Sequence, residues 1–180
     1  MHPPIIYSEK IYLKALSLEH LSQQYVDWLN NPNVNRYLES GGDYTLEKLE
    51  VFLKSVEQNQ ILFWAIHLVE NNKHIGNIKI DPINLRHGYG EYGILLGDHT
   101  EWGKGYAREA SERVIEYCFS ASLNIRKVVL GVVAKNTSAV ALYQKLGFIT
   151  EGIYHNHGLY NSEYCDIIRM ALFNKNTNAV

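Results

Sequence analysis

The chain reads as an α/β protein: one mixed sheet of about seven strands flanked by helices. Three observations predict it. Short apolar or alternating runs recur at 10–15, 62–69, 74–80, 89–96, 127–133, 148–154 and 164–172, all at strand length. Longer stretches between them carry apolar residues at helical spacing. At residues 91–107, EYGILLGDHTEWGKGYA, an apolar strand feeds a glycine-bearing loop that opens the longest of those stretches.

Taken in order, Lys10 to Ala15 alternates polar and apolar residues, as a half-buried strand does. Ser17 can cap a helix over 18–29 with apolar residues at 18, 21, 25, 28 and 29, and Asn30-Asn31-Pro32 ends it. A short segment at 34–38 and a flexible turn, Gly41-Gly42-Asp43, follow. Thr45 can cap the next helix, whose stripe is Leu46, Leu49, Phe52, Leu53 and Val56. Its capping box is imperfect, because Lys48 stands where an acid or amide is wanted and Glu47 falls one position early. The strands at 62–69 and 74–80 are joined by Glu70-Asn71-Asn72-Lys73, a hairpin connection. A loop at 81–87 leads to the strand at 89–96, and a helix over about 105–120 comes next. Lys127 to Val133 is β-branched and apolar, a buried strand. A helix over 137–146 ends at Gly147, a left-handed cap by its placement. Two closing strands, with 155–162 as a turn between them, and a polar tail at 174–180 complete the chain.

At 180 residues the chain is expected to be one domain, with its core over about 10–172. Its 46% hydrophobic and 20% charged residues fit a soluble globular protein. A formal net charge of −2 argues against a general electrostatic grip on nucleic acid. Cys118 and Cys165 make no disulfide framework and read as core residues of a reducing compartment. No apolar run reaches membrane-spanning length and the first residues lack a signal-peptide pattern, so a cytoplasmic monomer or homodimer is expected.

The loop at 102–107 is a ready anion site. The first amides of a helix lack internal partners, and Gly103 and Gly105 let a phosphate approach the backbone. It is not a Walker A loop: Asp98 stands where that motif needs glycine, and Gly105 follows Lys104 where it needs Ser or Thr. A dinucleotide fingerprint starting at Gly103 fails at Arg108. Gly88-Tyr89-Gly90-Glu91-Tyr92-Gly93 spells GxGxxG, but precedes a strand. The bland alternative is an ordinary strand-to-helix connection.

A second segment shifts the balance. Trp102-x-x-Gly105-x-Ala107, followed some thirty residues on by Asn136, Ala139, Leu142, Tyr143, Lys145, Gly147 and Phe148, resembles the GNAT superfamily of N-acetyltransferases. The resemblance covers about 74–172, and more loosely the N-terminal third. Trp102 departs from the usual Arg or Gln, as in the branch that includes ribosomal-protein N-terminal and amino-sugar acetyltransferases. The family implies a mostly antiparallel sheet whose fourth and fifth strands splay apart, acetyl-CoA as co-substrate, and no metal. It also implies that Trp102, Gly103, Lys104, Gly105, Tyr106 and Ala107 cradle the pyrophosphate. Backbone groups of Ile94, Leu95 and Leu96 would hold the pantetheine arm, with Asn136 and Tyr143 completing the site.

Acetyl transfer to an amine needs a proton donor for the departing sulfur and, for a basic amine, help in losing a proton. Tyr143 is the expected acid; otherwise it is a core aromatic. Asn136 is equally a helix cap. Glu91 is the expected base, directly or through water; otherwise it is an ion-paired strand residue. His87, His155 and His157 are weaker candidates. For the acceptor pocket the family points to stretches rich here in aromatic and amide groups, with Arg36, Tyr37, Tyr89 and Tyr160 as candidate contacts. The expected acceptor is a small amine such as an amino sugar or sugar nucleotide. A peptide N-terminus is the alternative, and a non-catalytic acyl-CoA-binding module the reading from another class.

Overall fold

The computed structural model describes residues 1–38 and 42–175. Gly41 of the expected turn and residues 176–180 of the expected tail lie outside the described residues. Eight strands form one sheet in the order β1-β2-β3-β4-β5-β6-β8-β7. They are Ile6–Tyr7 (β1), Ile11–Ala15 (β2), Leu62–Leu68 (β3), His74–Asn84 (β4), Tyr89–Leu96 (β5), Lys127–Val133 (β6), Ile149–Tyr160 (β7) and Glu163–Phe173 (β8). Every neighbouring pair is antiparallel except β5 with β6. The eighth strand is the two-residue β1, too short to show a period in sequence.

The sheet is covered on both faces, and strand alternation says which residue goes where. Leu62, Trp64, Ile66 and Leu68 of β3 join a core with Ala110, Val114, Ile115 and Cys118 of α4 (Tyr106–Phe119) and Tyr143 of α5 (Thr137–Lys145). Ala65, pointing the other way, joins Tyr25, Val26, Trp28 and Leu29 of α1 (Gln23–Asn30) and Leu49, Leu53 and Val56 of α3 (Leu46–Gln58). Leu49 and Leu53 are fully buried, so truncating either to alanine costs about 2–5 kcal/mol. Burial also pushes the Cys118 thiol up to about 12 and leaves it inert.

Four local expectations are corrected. The helix over 18–29 is broken. Ser17 leads into a 3-10 turn at Leu18–His20, and Ser22, whose side chain accepts from the Tyr25 amide, caps α1. The expected loop at 81–87 begins later, because β4 pairs with β5 as far as Asn84 through a bulge between Ile80 and Ile83. The expected turn at 155–162 is mostly strand: β7 runs to Tyr160, and only Asn161 and Ser162, with φ of +50° and +62°, make the turn. Asn174, placed in the polar tail, is buried and donates to the carbonyls of Phe119 and Ile125.

Behind α1, His20, His67 and His74 cluster with ring centroids 5.0–5.3 Å apart, His67 stacked on His74 and His20 tilted or edge-on to both. Burial is the main cause lowering all three from the usual imidazole range, His20 to about 4 and His74 to about 3.

Candidate active site

β5 and β6 pair only at Tyr89↔Lys127, Gly90↔Val128 and Glu91↔Val129. Beyond that they part, because each is held by its other neighbour. β5 stays on β4 as far as Leu96↔Gly76, and β6 stays on β8 as far as Val133↔Ile167. The result is a wedge-shaped gap in the sheet with unpaired main chain on its β5 side. The Gly88 carbonyl accepts from Lys127 N–H, and the Leu96 carbonyl accepts from Trp102 Nε1 at 2.8 Å. Alternation along β5 therefore turns the main-chain groups of Ile94 and Leu96 into the gap. Leu95 faces β4, where a Cβ on Gly76 would meet its carbonyl oxygen at 2.3 Å.

The glycine loop stands at the wide end. Gly103 and Gly105 have φ of +77° and +90°, in the region costly for L-residues, and a Cβ on either would meet nothing within 4 Å. Both serve backbone conformation and an open approach. Gly105 caps α4 without any side-chain bond, leaving its first amides for an anion. The side-chain charges nearby neutralise one another. Lys104 Nζ lies 2.7 Å from Glu101, and Lys73 lies 3.0 Å from Glu101 and 2.7 Å from Asp98, both acids being buried. This cradle of bare amides fits the pyrophosphate of acetyl-CoA, held mainly by main chain. Trp102 buttresses the loop through its bond to Leu96.

α5 covers the same face. Asn136 caps it, accepting from Ala139 N–H at 3.3 Å. Tyr143 is buried, edge-on to Tyr92 at 5.7 Å and tilted against Phe148 at 5.9 Å. Tyr92 in turn bonds Ser111 at 2.7 Å. Burial pushes the Tyr143 phenol up to about 12. No described residue hydrogen-bonds its hydroxyl.

The opposite face of the gap is built from side chains. Glu91 points there, paired with Arg169 Nη1 at 2.8 Å. Arg169 stands on β8 opposite Gly131 of β6 and must cross β6 to reach Glu91. A Cβ at 131 would sit 2.8 Å from that guanidinium nitrogen and 3.2 Å from the Ile167 side chain, so the glycine leaves room for the arginine's path. Further along, Tyr37 and Tyr160 pack on Val133, Cys165 and Ile167. Tyr37 donates to the Lys135 carbonyl at 3.3 Å. Beyond them a cavity of about 510 Å³ separates the end of α2 (Pro32–Asn35) from the tip of the β7–β8 hairpin.

The acetyltransferase (GNAT) domain family matches residues 10–149. The chain belongs to this family. It is 29% identical over 160 residues to spermidine N(1)-acetyltransferase of Vibrio cholerae, covering 86% of this chain and 91% of that one. The structure of the Vibrio cholerae spermidine N-acetyltransferase with CoA and spermine superposes with a TM-score of 0.84 at 26% identity, over 93% of this chain and 97% of that one. The ribosomal-protein-S5-alanine acetyltransferase of Vibrio fischeri superposes with a TM-score of 0.81 over 98% of this chain and 100% of that one, but at 17% identity it shares the fold alone.

The GNAT protein is therefore an acetyl-CoA-dependent N-acetyltransferase. Its sequence-expected residues divide between the two faces: Trp102 to Ala107, Asn136 and Tyr143 on one; Glu91, Arg36, Tyr37 and Tyr160 on the other. Tyr89 lies beside Glu91, opposite Lys127 and at the closed end of the gap, about 20 Å along β6 from the cavity. His155 pairs with Asp166 at 3.1 Å, and the His87 carbonyl accepts from Arg126. Arg169 and Gly131 escaped the sequence reading. An unexplained glycine inside the apolar run at 127–133 was the only signal they left. Among the described residues no helix is long and apolar enough to cross a membrane.

Proposed function

We propose that this acetyltransferase acetylates a small primary amine in a ternary complex, with an amino sugar or sugar nucleotide as the acceptor. The observation that carries this reading is the cavity on the Glu91 face, lined by Arg36, His157, Tyr160 and the amides of Asn35 and Asn161 and, among the described residues, by no carboxylate. Tyrosine rings and amides suit a hydroxyl-rich ring. A polycation needs unneutralised acids, and Glu91 already faces Arg169.

In this reading the amine reaches the acetyl carbon through the gap. Tyr143 serves the sulfur from one side and Glu91 the nitrogen from the other. At about 12, the Tyr143 phenol stays protonated throughout the working range. A free thiol titrates near 8.5, so complete proton transfer from this phenol is uphill, and Tyr143 acts chiefly as a hydrogen-bond donor to the forming thiolate. Glu91 takes the ammonium proton directly or through water, its position fixed by Arg169. The demand on it is small for an α-amine titrating near 8, about a tenth neutral at pH 7, and large for a lysine-like amine, neutral in about one molecule in 2,500.

The relatives named for spermidine favour a second reading, a polyamine acceptor. Free-thiol release from acetyl-CoA, measured against amino sugars, nucleotide-linked amino sugars, polyamines and N-terminal peptides, decides between them. Turnover confined to the amino-sugar arms is the expected result. Turnover only with spermidine or spermine overturns the first reading in favour of the second.

A further inference from the structure

The cavity beyond Tyr37 is lined by an exposed cation that no described acid neutralises. Arg36 follows the last residue of α2 and lines the space together with Asn35, His157, Tyr160 and Asn161. Its guanidinium lies 5.4 Å from the centroid of the Tyr37 ring, a cation–π contact that orients the side chain without neutralising it. Among the described residues it makes no ion pair. The acids near the hairpin are engaged elsewhere: Asp166 accepts from Asn156 N–H and pairs with His155, and Glu163 pairs with Lys135. A half-open space whose described lining holds an exposed arginine without an ion pair, and no acid, attracts an anion. Arginine's planar fork also matches phosphate oxygens two at a time.

The wall of this cavity is continuous with the reacting face. Tyr37 stands over Val133 and Ile167, which pair across β6 and β8 one step beyond Gly131 and Arg169. Along β6, from Val129 beside Glu91 to Val133 beside Tyr37, is four strand residues, about 13 Å. That reach exceeds a sugar ring carrying its own phosphate and suits a ring extended by a diphosphate.

We infer that Arg36 is a specificity residue that takes the diphosphate of a nucleotide-linked amine, so that the acceptor carries an anionic group distal to its reacting nitrogen. The inference rests on the acceptor-face reading above and narrows its substrate class.

Two measurements test it. In the first, kcat/KM is measured for a nucleotide-diphosphate amino sugar and for the same amino sugar without the nucleotide. Arg36→Gln should lower the ratio of the two about 10- to 100-fold, the scale of a lost charged hydrogen bond, and Arg36→Lys should restore part of it. A ratio near one in the unaltered enzyme, or one that Arg36→Gln leaves unchanged, overturns the inference while leaving small-amine acetylation intact. The second measurement needs no turnover. Calorimetry of uridine diphosphate into protein saturated with CoA, so that the glycine loop is filled, should show binding that Arg36→Gln weakens at least tenfold. Absence of binding, or binding indifferent to residue 36, sinks the inference even if no amine is ever acetylated. The Arg36-dependent signal would sustain it in that same case.

Discussion

The two faces of the β5–β6 gap are built from different materials. On the α4–α5 face the site is main chain: amides of a helix start, two glycines at positive φ, and the inner edge of β5, with nearby side-chain charges cancelling among Lys73, Asp98, Glu101 and Lys104. On the other face it is side chain: Glu91, Arg169, Tyr37 and Arg36, drawn from β5, β8 and the end of α2. The first arrangement fits a constant ligand, the pyrophosphate and pantetheine of acetyl-CoA. The second can change its ligand by changing a few residues. In the proposed reading, cofactor and acceptor are recognised by separable structures that meet only through the gap.

Substitutions should separate them in the same way. The largest effect is expected at Gly105→Glu, which sets a carboxylate and a strained left-handed residue where the phosphate amides open; acetyl-CoA binding by calorimetry should be lost in a folded protein. Next is Tyr143→Phe, expected to lower kcat about 10²–10³-fold, the scale of one lost donor to a developing anion, with acetyl-CoA affinity kept. Unchanged kcat would return Tyr143 to a packing role. Arg169→Gln, which frees Glu91 without touching the glycine loop, should lower kcat/KM for the amine about tenfold, with Arg169→Lys recovering part of it and the KM for acetyl-CoA steady. If acetyl-CoA affinity falls with it, the two faces are not separable.

The smallest effect lies away from the gap. His20, His67 and His74 are lowered in the folded state by burial, so below the ordinary imidazole value near 6.5, down to about 4 for His20 and about 3 for His74, the unfolded chain binds protons that the folded chain refuses. Their contribution to stability is complete above pH 6.5 and is lost as pH falls below it. Thermal melts of His74→Gln should show a shallower loss of Tm between pH 6.5 and 4 than the unaltered protein; parallel curves would remove the cluster from the acid response.

The same contrast explains what could be read without coordinates. The glycine loop was legible as a strand-to-helix turn open to an anion because its constraints are local: a turn that needs glycine and a helix start fall within a few residues of one another. Its assignment to acetyl-CoA, with Asn136 and Tyr143, came from the family resemblance and not from spacing. The opposite face draws on residues 36, 91, 131 and 169, which only the fold brings together. Gly131 shows the limit well, since the guanidinium that passes over it arrives from 38 positions later in the chain, on another strand. Errors in the fold have similar causes. The stripe over 18–29 satisfied helical spacing although two serines, Ser17 and Ser22, each start a separate turn. The hairpin tip at 155–160 lacked alternation because this stretch of the edge strand is mostly exposed, with only Gly158 and Tyr160 half-buried.

If cofactor and acceptor meet through the gap from opposite faces, a crystal structure with a CoA–acetyl–amine bisubstrate should show it. The pyrophosphate is expected on the amides of 103–107, the pantetheine against Ile94 and Leu96, the sulfur within about 3 Å of the Tyr143 hydroxyl, and the amine portion on the Glu91 side. A bisubstrate whose amine portion remained on the α4–α5 face, or whose sulfur lay beyond hydrogen-bond reach of Tyr143, would contradict it.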